Sequence, residues 1–274
     1  MAKLTRWLIT ILLIPLVSSC LMKLAYNHAD TLLSWELDNY FDLTTQQKHF
    51  VQQRFRHFIV WHRKHEIDKY IGFLMQTKDD ISNGLTAKDV DWFFTSLNEF
   101  KISLGEELAD DAAGFLSTVT PDQITYLKGE LKEINEKLEQ RVKLTPEERL
   151  EKRSDEIIEG LEKWTGPLWD SQKKRIAVFT GEIPDVTAKW LVYRRFRQHQ
   201  FIEIIKTNNN SADLKDKIYR WFVTPMPLTF DEHQEKVKWM ILQVYQLLTT
   251  QQRARFASEI QDLIDDLREI RNNN

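Results

Sequence analysis

Two patterns of apolar residues divide this chain. Trp7 to Val17 is an apolar run without charge, broken only by Thr10 and Pro15. From Leu24 onward, apolar residues stand three and four apart among charged ones, the period of a helix that buries one face. On an ideal wheel Val51, Phe55, Phe58 and Phe73 share a face. No stretch alternates with the two-residue period of a half-buried strand. Breaks fall at Asn83-Gly84, Thr165-Gly166-Pro167, Gly181 to Pro184, Asn208 to Ser211 and Pro225-Met226-Pro227.

A cap signal recurs between these breaks. Leu43-Thr44-Thr45-Gln46-Gln47, Leu85-Thr86-Ala87-Lys88-Asp89, Val119-Thr120-Pro121-Asp122-Gln123, Leu144-Thr145-Pro146-Glu147-Glu148, Leu228-Thr229-Phe230-Asp231-Glu232 and Leu248-Thr249-Thr250-Gln251-Gln252 share one form. Each sets Thr at a helix N-cap, with an acid or amide three residues on whose side chain can reach back to the cap N–H. Asp89 is short for that return bond. Pro121 and Pro146 occupy the first helical position, where a missing N–H costs nothing.

The caps and breaks predict helices over 24–41, 45–82, 87–117, 121–143, 146–164, 168–180, 186–206, 212–223, 230–248 and 250–271. The expected fold is therefore all-α: a single multi-helix domain of about ten long antiparallel and crossing helices, without a sheet. Residues 165–184 are the best candidate for a hinge between two lobes.

The apolar run changes the picture of where this body resides. Lys3 and Arg6, then the run, then Ser18 and Ser19 make a secretory signal, too short to span a bilayer. Val17-Ser18-Ser19-Cys20 resembles the bacterial lipobox, which implies cleavage before Cys20 and a diacylglyceryl group on its thiol. The predicted division is a lipoprotein signal peptide over 1–19 and a mature all-α periplasmic body over 20–274. Several acyl chains on one residue anchor stably, at roughly 0.8 kcal/mol per buried CH₂. The alternative is an uncleaved helix with an incidental thiol, but Cys20 is the sole cysteine. A lone free thiol in an exported protein is a liability that acylation removes. Leu21 rather than Asp after the cysteine implies, by resemblance to sorted lipoproteins, the outer membrane, with the body in the periplasm.

Composition narrows the function classes. Loss of Lys3 and Arg6 with the leader leaves 36 basic residues against 41 acidic, a net charge of −5. That is no nucleic-acid footprint. Eight glycines and seven prolines are few for 274 residues, in keeping with helices throughout.

Two segments carry candidate chemistry. Within Phe50 to Phe73, His62, His65, Glu66 and Lys69 interrupt the apolar face. A polar cluster in an apolar stripe must be paired, hydrated or functional. A structural network, a partner or small-ligand site and a metal site remain open for it. His62 and Glu66 are four apart and His62 and His65 three apart, but the order is not that of a zincin helix. The second segment, Tyr193 to Phe201, sets Arg194, Arg195 and Arg197 beside aromatics. It reads either as an anion-binding groove or as arginines paired to acidic neighbours. No nucleophile elbow or phosphate loop is visible, so no catalytic residue, metal ligand or cofactor is assigned.

The lipobox, Leu24-Ala25-Tyr26-Asn27, Trp35 to Tyr40, Leu43, Gln47, Trp61-His62-Arg63 and Glu66 together resemble a family of uncharacterised Gram-negative envelope lipoproteins. That resemblance covers the mature chain and implies no established activity. Leu43 to Gln47 and Leu248 to Gln252 also match the L-T-x-x-Q motif of the small periplasmic helical stress chaperones. The expected role is a lipid-anchored binding, scaffold or chaperone-like protein that presents aromatic-rich helices to an envelope protein or peptide partner. The alternative is a metal- or ligand-dependent envelope enzyme centred on His62, His65 and Glu66.

Overall fold

A computed structural model describes residues 24–207 and 211–272. Cys20 and the lipobox residues Val17, Ser18 and Ser19 lie outside the described residues. Among those described are eleven α-helices, a helical turn at residues 24–27, one 3-10 turn and no strand. The fold is all-α and packs as one helical domain.

In chain order the helices are α1 (Ala29–Phe41), α2 (Thr45–His65), α3 (Ile67–Asn83), α4 (Ala87–Leu116), α5 (Pro121–Lys143) and α6 (Pro146–Thr165). They continue as α7 (Asp170–Gly181), α8 (Thr187–Lys206), α9 (Ser211–Val223), α10 (Asp231–Leu247) and α11 (Thr250–Asn272).

The caps expected at Thr44, Thr86, Thr120 and Thr145 are full capping boxes. Thr249 closes a fifth: its hydroxyl oxygen accepts from the Gln252 N–H, and its own N–H donates to Gln252 Oε1. Three expectations are corrected. Asp89 is long enough after all: the Thr86 N–H donates to its Oδ2 at 2.8 Å. Thr229 does not cap. Leu228–Phe230 forms a 3-10 turn, and α10 starts after Phe230, which is buried against Trp190 and Tyr193. Burying that ring fixes the entry to α10 in place of a hydroxyl cap. The helix expected over 45–82 is kinked at Glu66 (φ −107°, ψ −36°), with no Pro or Gly to cause it. The kink coincides with a carboxylate turned fully inward.

Two sets of four helices build the interior. In the first, hairpin α1–α2 packs against α4–α5; in the second, hairpin α6–α7 packs against α10–α11. Each set is fastened by two glutamines three residues into facing helices. Gln47 Nε2 donates to Gln123 Oε1 at 3.1 Å, and Gln123 Nε2 donates to Gln47 Oε1 at 2.7 Å. In the second set Gln172 and Gln252 exchange the same pair of bonds, at 2.8 and 3.1 Å.

The remaining donor of each amide reaches a carbonyl just before the opposite helix. Gln47 takes Thr118 O and Gln123 takes Asp42 O. Gln172 takes Leu247 O and Gln252 takes Pro167 O. Each oxygen also accepts its own cap N–H, from Thr44, Thr120, Trp169 and Thr249 in turn. An amide carries two donors and an acceptor oxygen with two lone pairs, so all four buried side chains are satisfied. Asp42 stands at φ +46°, a left-handed position that a short polar residue tolerates.

The other helices interlock the sets. α3 from the first half packs on α11, while α8 and α9 from the second half lie on α5 and α4. Gly105 of α4 permits the close approach of α9, because a Cβ there would sit 2.7 Å from Phe222 Cδ1. Residues 165–184 contain α7, whose Ile176 and Phe179 are buried with Met240 and Val244 in the core of the second set.

Candidate functional site

The kink between α2 and α3 separates the four residues of the histidine cluster. His62 and Glu66 are buried, whereas His65 is exposed and stacks on Trp61. Burial holds the His62 ring well below its usual range, at about 4, so it is neutral near pH 7. Its Nδ1 lies 2.9 Å from the Tyr26 hydroxyl, and Phe58 and Tyr70 pack around it. Burial first, then opposed by Arg63, sets the Tyr26 phenol at about 12.

The Glu66 carboxylate is fully buried. Its Oε1 accepts from Lys69 Nζ at 2.6 Å and from Ser103 Oγ of α4 at 2.9 Å, while Oε2 has no partner. These contacts join α3 to α4 and tie residue 26 to α2. Among the described residues, no group of three or more His, Cys, Asp or Glu side chains is placed to hold a metal ion.

The three arginines of α8 part ways. Arg195 points outward and pairs with Glu139 of α5. Arg197 is buried, lies 4.7 Å over the Trp221 ring and donates through Nη2 to the Trp221 carbonyl. Lys101 donates to the Val223 carbonyl at 3.2 Å. Both cations thus sit on the last turn of α9, whose free carbonyls and negative dipole end favour positive charge. Arg194 differs. It is buried, it makes no hydrogen bond or ion pair among the described residues, and its Nε and Nη2 have no partner. Burial lowers its pKa, and Tyr40 is the one neighbour that raises it.

A cavity of about 290 Å³ lies between α1, α2, α4, α5, α8 and α9; Gln198, one turn after Arg194, lines it, and Arg194 itself does not. Phe41, Phe50, Phe115, Leu131, Trp221 and Phe222 make much of its wall. Arg54 and Asp111, an ion pair at 3.5 Å, stand at its exposed side. Tyr40 and Gln198 bring polar atoms to it. Mostly apolar walls with a few placed polar groups are the usual make-up of a small-molecule site, and the volume is at the low end of the ~300–1,000 Å³ such sites span. Apolar cavities of half this size stay dry and accept benzene.

No residue pattern announced this cavity, because six helices from both halves build it. The glutamine pairs were half visible. Three of the four glutamines lay in cap motifs, but the fourth follows Trp169, where no threonine marks a cap.

The fold and cavity together define an all-α protein with an apolar ligand-sized chamber. The chain belongs to DUF6279, a family of unknown function, which matches residues 39–234. Neither a curated protein nor a solved structure matches the chain.

Proposed function

We propose that this protein is a lipid-anchored binding protein of the bacterial envelope, held at the outer membrane through a diacylglyceryl group on Cys20. Its helical body takes an apolar ligand, or an apolar segment of an envelope partner, into the chamber between α1, α2, α4, α5, α8 and α9. The observation that carries this reading is the chamber itself: an open, apolar space walled by six helices.

The start of the body supports the anchored arrangement. Residues 24–30 are fastened to α2 by Tyr26 against His62 and by Arg56 Nε on Asp30 Oδ2 at 2.8 Å. The tether from Cys20 to the body is therefore only a few residues long. Near it Leu24, Leu32 and Trp35 stand 53, 39 and 63% exposed. Leu32 and Trp35 stand three apart on one face of α1. Trp in particular is favoured at a lipid–water interface.

Two experiments test the two parts. Cys20→Ala should move the protein from the membrane pellet to the soluble or inner-membrane fraction; an unchanged outer-membrane pellet would sink the anchor. A naphthyl-type apolar fluorophore should bind the full chain with enhanced emission, and Ala112→Phe, which fills the chamber, should abolish that signal. An unaltered signal in the filled variant would place the probe elsewhere.

A further inference from the structure

The chamber's polar end is what remains unexplained. Tyr40 lines it, 7% exposed, and its hydroxyl has no hydrogen-bond partner. Gln198 also lines it, and Arg194 stands one turn earlier on the same face of α8, 4% exposed. A buried cation without a partner is among the least favourable arrangements in a protein interior. The other buried arginine of α8, Arg197, has the Trp221 carbonyl. Glu36 and Glu130 act electrostatically on Tyr40, but neither forms an ion pair with Arg194. Arg54, at the other side of the chamber, is already matched by Asp111. At one end of an apolar space, an unpaired phenol in the wall thus stands near a guanidinium that lies outside the lining and has no partner at Nε or Nη2, a donor set that suits a carboxylate.

Resting on the reading of the chamber as a binding site, we propose that it takes a single-chain amphiphile with a carboxylate head, a free fatty acid. The alkyl chain lies among Phe41, Phe50, Phe115 and Leu131, and the carboxylate sits on Arg194 and the Tyr40 hydroxyl. A space of about 290 Å³ suits one alkyl chain. Charge selects the head: an alcohol leaves Arg194 uncompensated, and an ammonium adds a second buried cation.

The test uses the full chain in phosphatidylcholine nanodiscs, with empty discs as the blank, and three probes sharing one dodecyl tail. Laurate, dodecanol and dodecylammonium compete for the bound naphthyl fluorophore. Laurate should compete at a concentration roughly tenfold or more below dodecanol, the value of one charge-assisted hydrogen bond. Dodecylammonium should be weakest. In Arg194→Gln the preference for laurate should fall to near parity, with dodecanol unchanged. Tyr40→Phe should lower it several-fold without affecting the tail.

The ligand-free Arg194→Gln protein should melt no lower than wild type, since it loses an unpaired buried charge. Laurate no better than dodecanol in wild type would overturn the head-group assignment and leave the binding site standing. Failure of all three probes, with fluorophore binding unchanged in Ala112→Phe, would remove the site as well. Should Arg194→Gln unfold, a Tyr40→Phe protein with undiminished laurate preference would overturn the assignment alone.

Discussion

The two glutamine pairs make an instructive contrast. Their local geometry is nearly the same: two amides exchange bonds, accept their own cap N–H groups and donate to the carbonyl before the opposite helix. What they enclose differs. Around Gln172 and Gln252, Ile176, Phe179, Met240 and Val244 fill the interior. Around Gln47 and Gln123, α8 and α9 arrive from the other half of the chain and roof over a chamber. One fastening device thus serves both a packed core and a hollow one. The difference comes from which helices are laid across the set, not from the fastening.

The largest effects should come from cutting the fastenings. Gln123→Leu removes a cap bond and leaves the Gln47 amide buried without its partner. An unsatisfied buried polar group costs about 1–3 kcal/mol and a lost cap about 0.5–2. A loss of roughly 2–5 kcal/mol is expected in urea unfolding, and Gln252→Leu should lose a similar amount. A large loss in one set and none in the other would break the equivalence of the pairs.

The joint between α2 and α3 should respond to acid. His62 is neutral in the folded protein, with its pKa lowered to about 4, whereas an unfolded histidine titrates near ~6.5. Between these values the unfolded chain binds a proton that the folded one does not. The stabilisation is therefore fully present above about pH 6.5 and declines as pH falls toward 4, by about 1.4 kcal/mol per unit and ~3 kcal/mol in all. Unfolding free energies of wild type and His62→Gln across this window should differ in slope, and parallel curves would contradict the assignment.

Packing changes should separate a filled core from a hollow one. Ile176 is 0% exposed, so Ile176→Phe overpacks its core and should cost about 1–3 kcal/mol. Ala112→Leu adds more volume beside the chamber and should shift stability by less than about 1 kcal/mol. Equal penalties would mean that the chamber does not tolerate filling. The smallest effect belongs to an exposed cap: Glu148→Ala, which removes only the return bond to Thr145 N, should cost about 0.5–1 kcal/mol.

Much of this architecture was legible in the residues. Eight of ten expected helices agree with the structure to within about two residues at their bounds, because Thr caps, Gly and Pro act locally; the helix expected from residue 24 starts at Ala29. The kink at Glu66 was not legible; it coincides with a buried carboxylate whose partner Ser103 comes from another helix. The distinction between Gln and acid at the third helical position was present in the sequence and carries the most information in retrospect. Asp89 and Glu148 close boxes that face water. Glutamine, which both donates and accepts, closes boxes that pair with one another. Of the four polar residues expected on one apolar face, His62 and Glu66 are buried, whereas His65 and Lys69 are exposed. The special position of Arg194 beside its two neighbours depends on Tyr40 from α1, which no spacing on α8 encodes.

The central claim is that the first set of helices encloses a site occupied in the cell, while the second encloses only side chains. Photo-cross-linking from benzoyl-phenylalanine at Phe55, in the chamber wall, and at Trp239, in the second core, tests it inside living bacteria. The account predicts a mass adduct of an alkyl-bearing small molecule or an apolar partner segment at position 55 and only intramolecular products at position 239. No adduct at 55, or the same adduct at both positions, would contradict it.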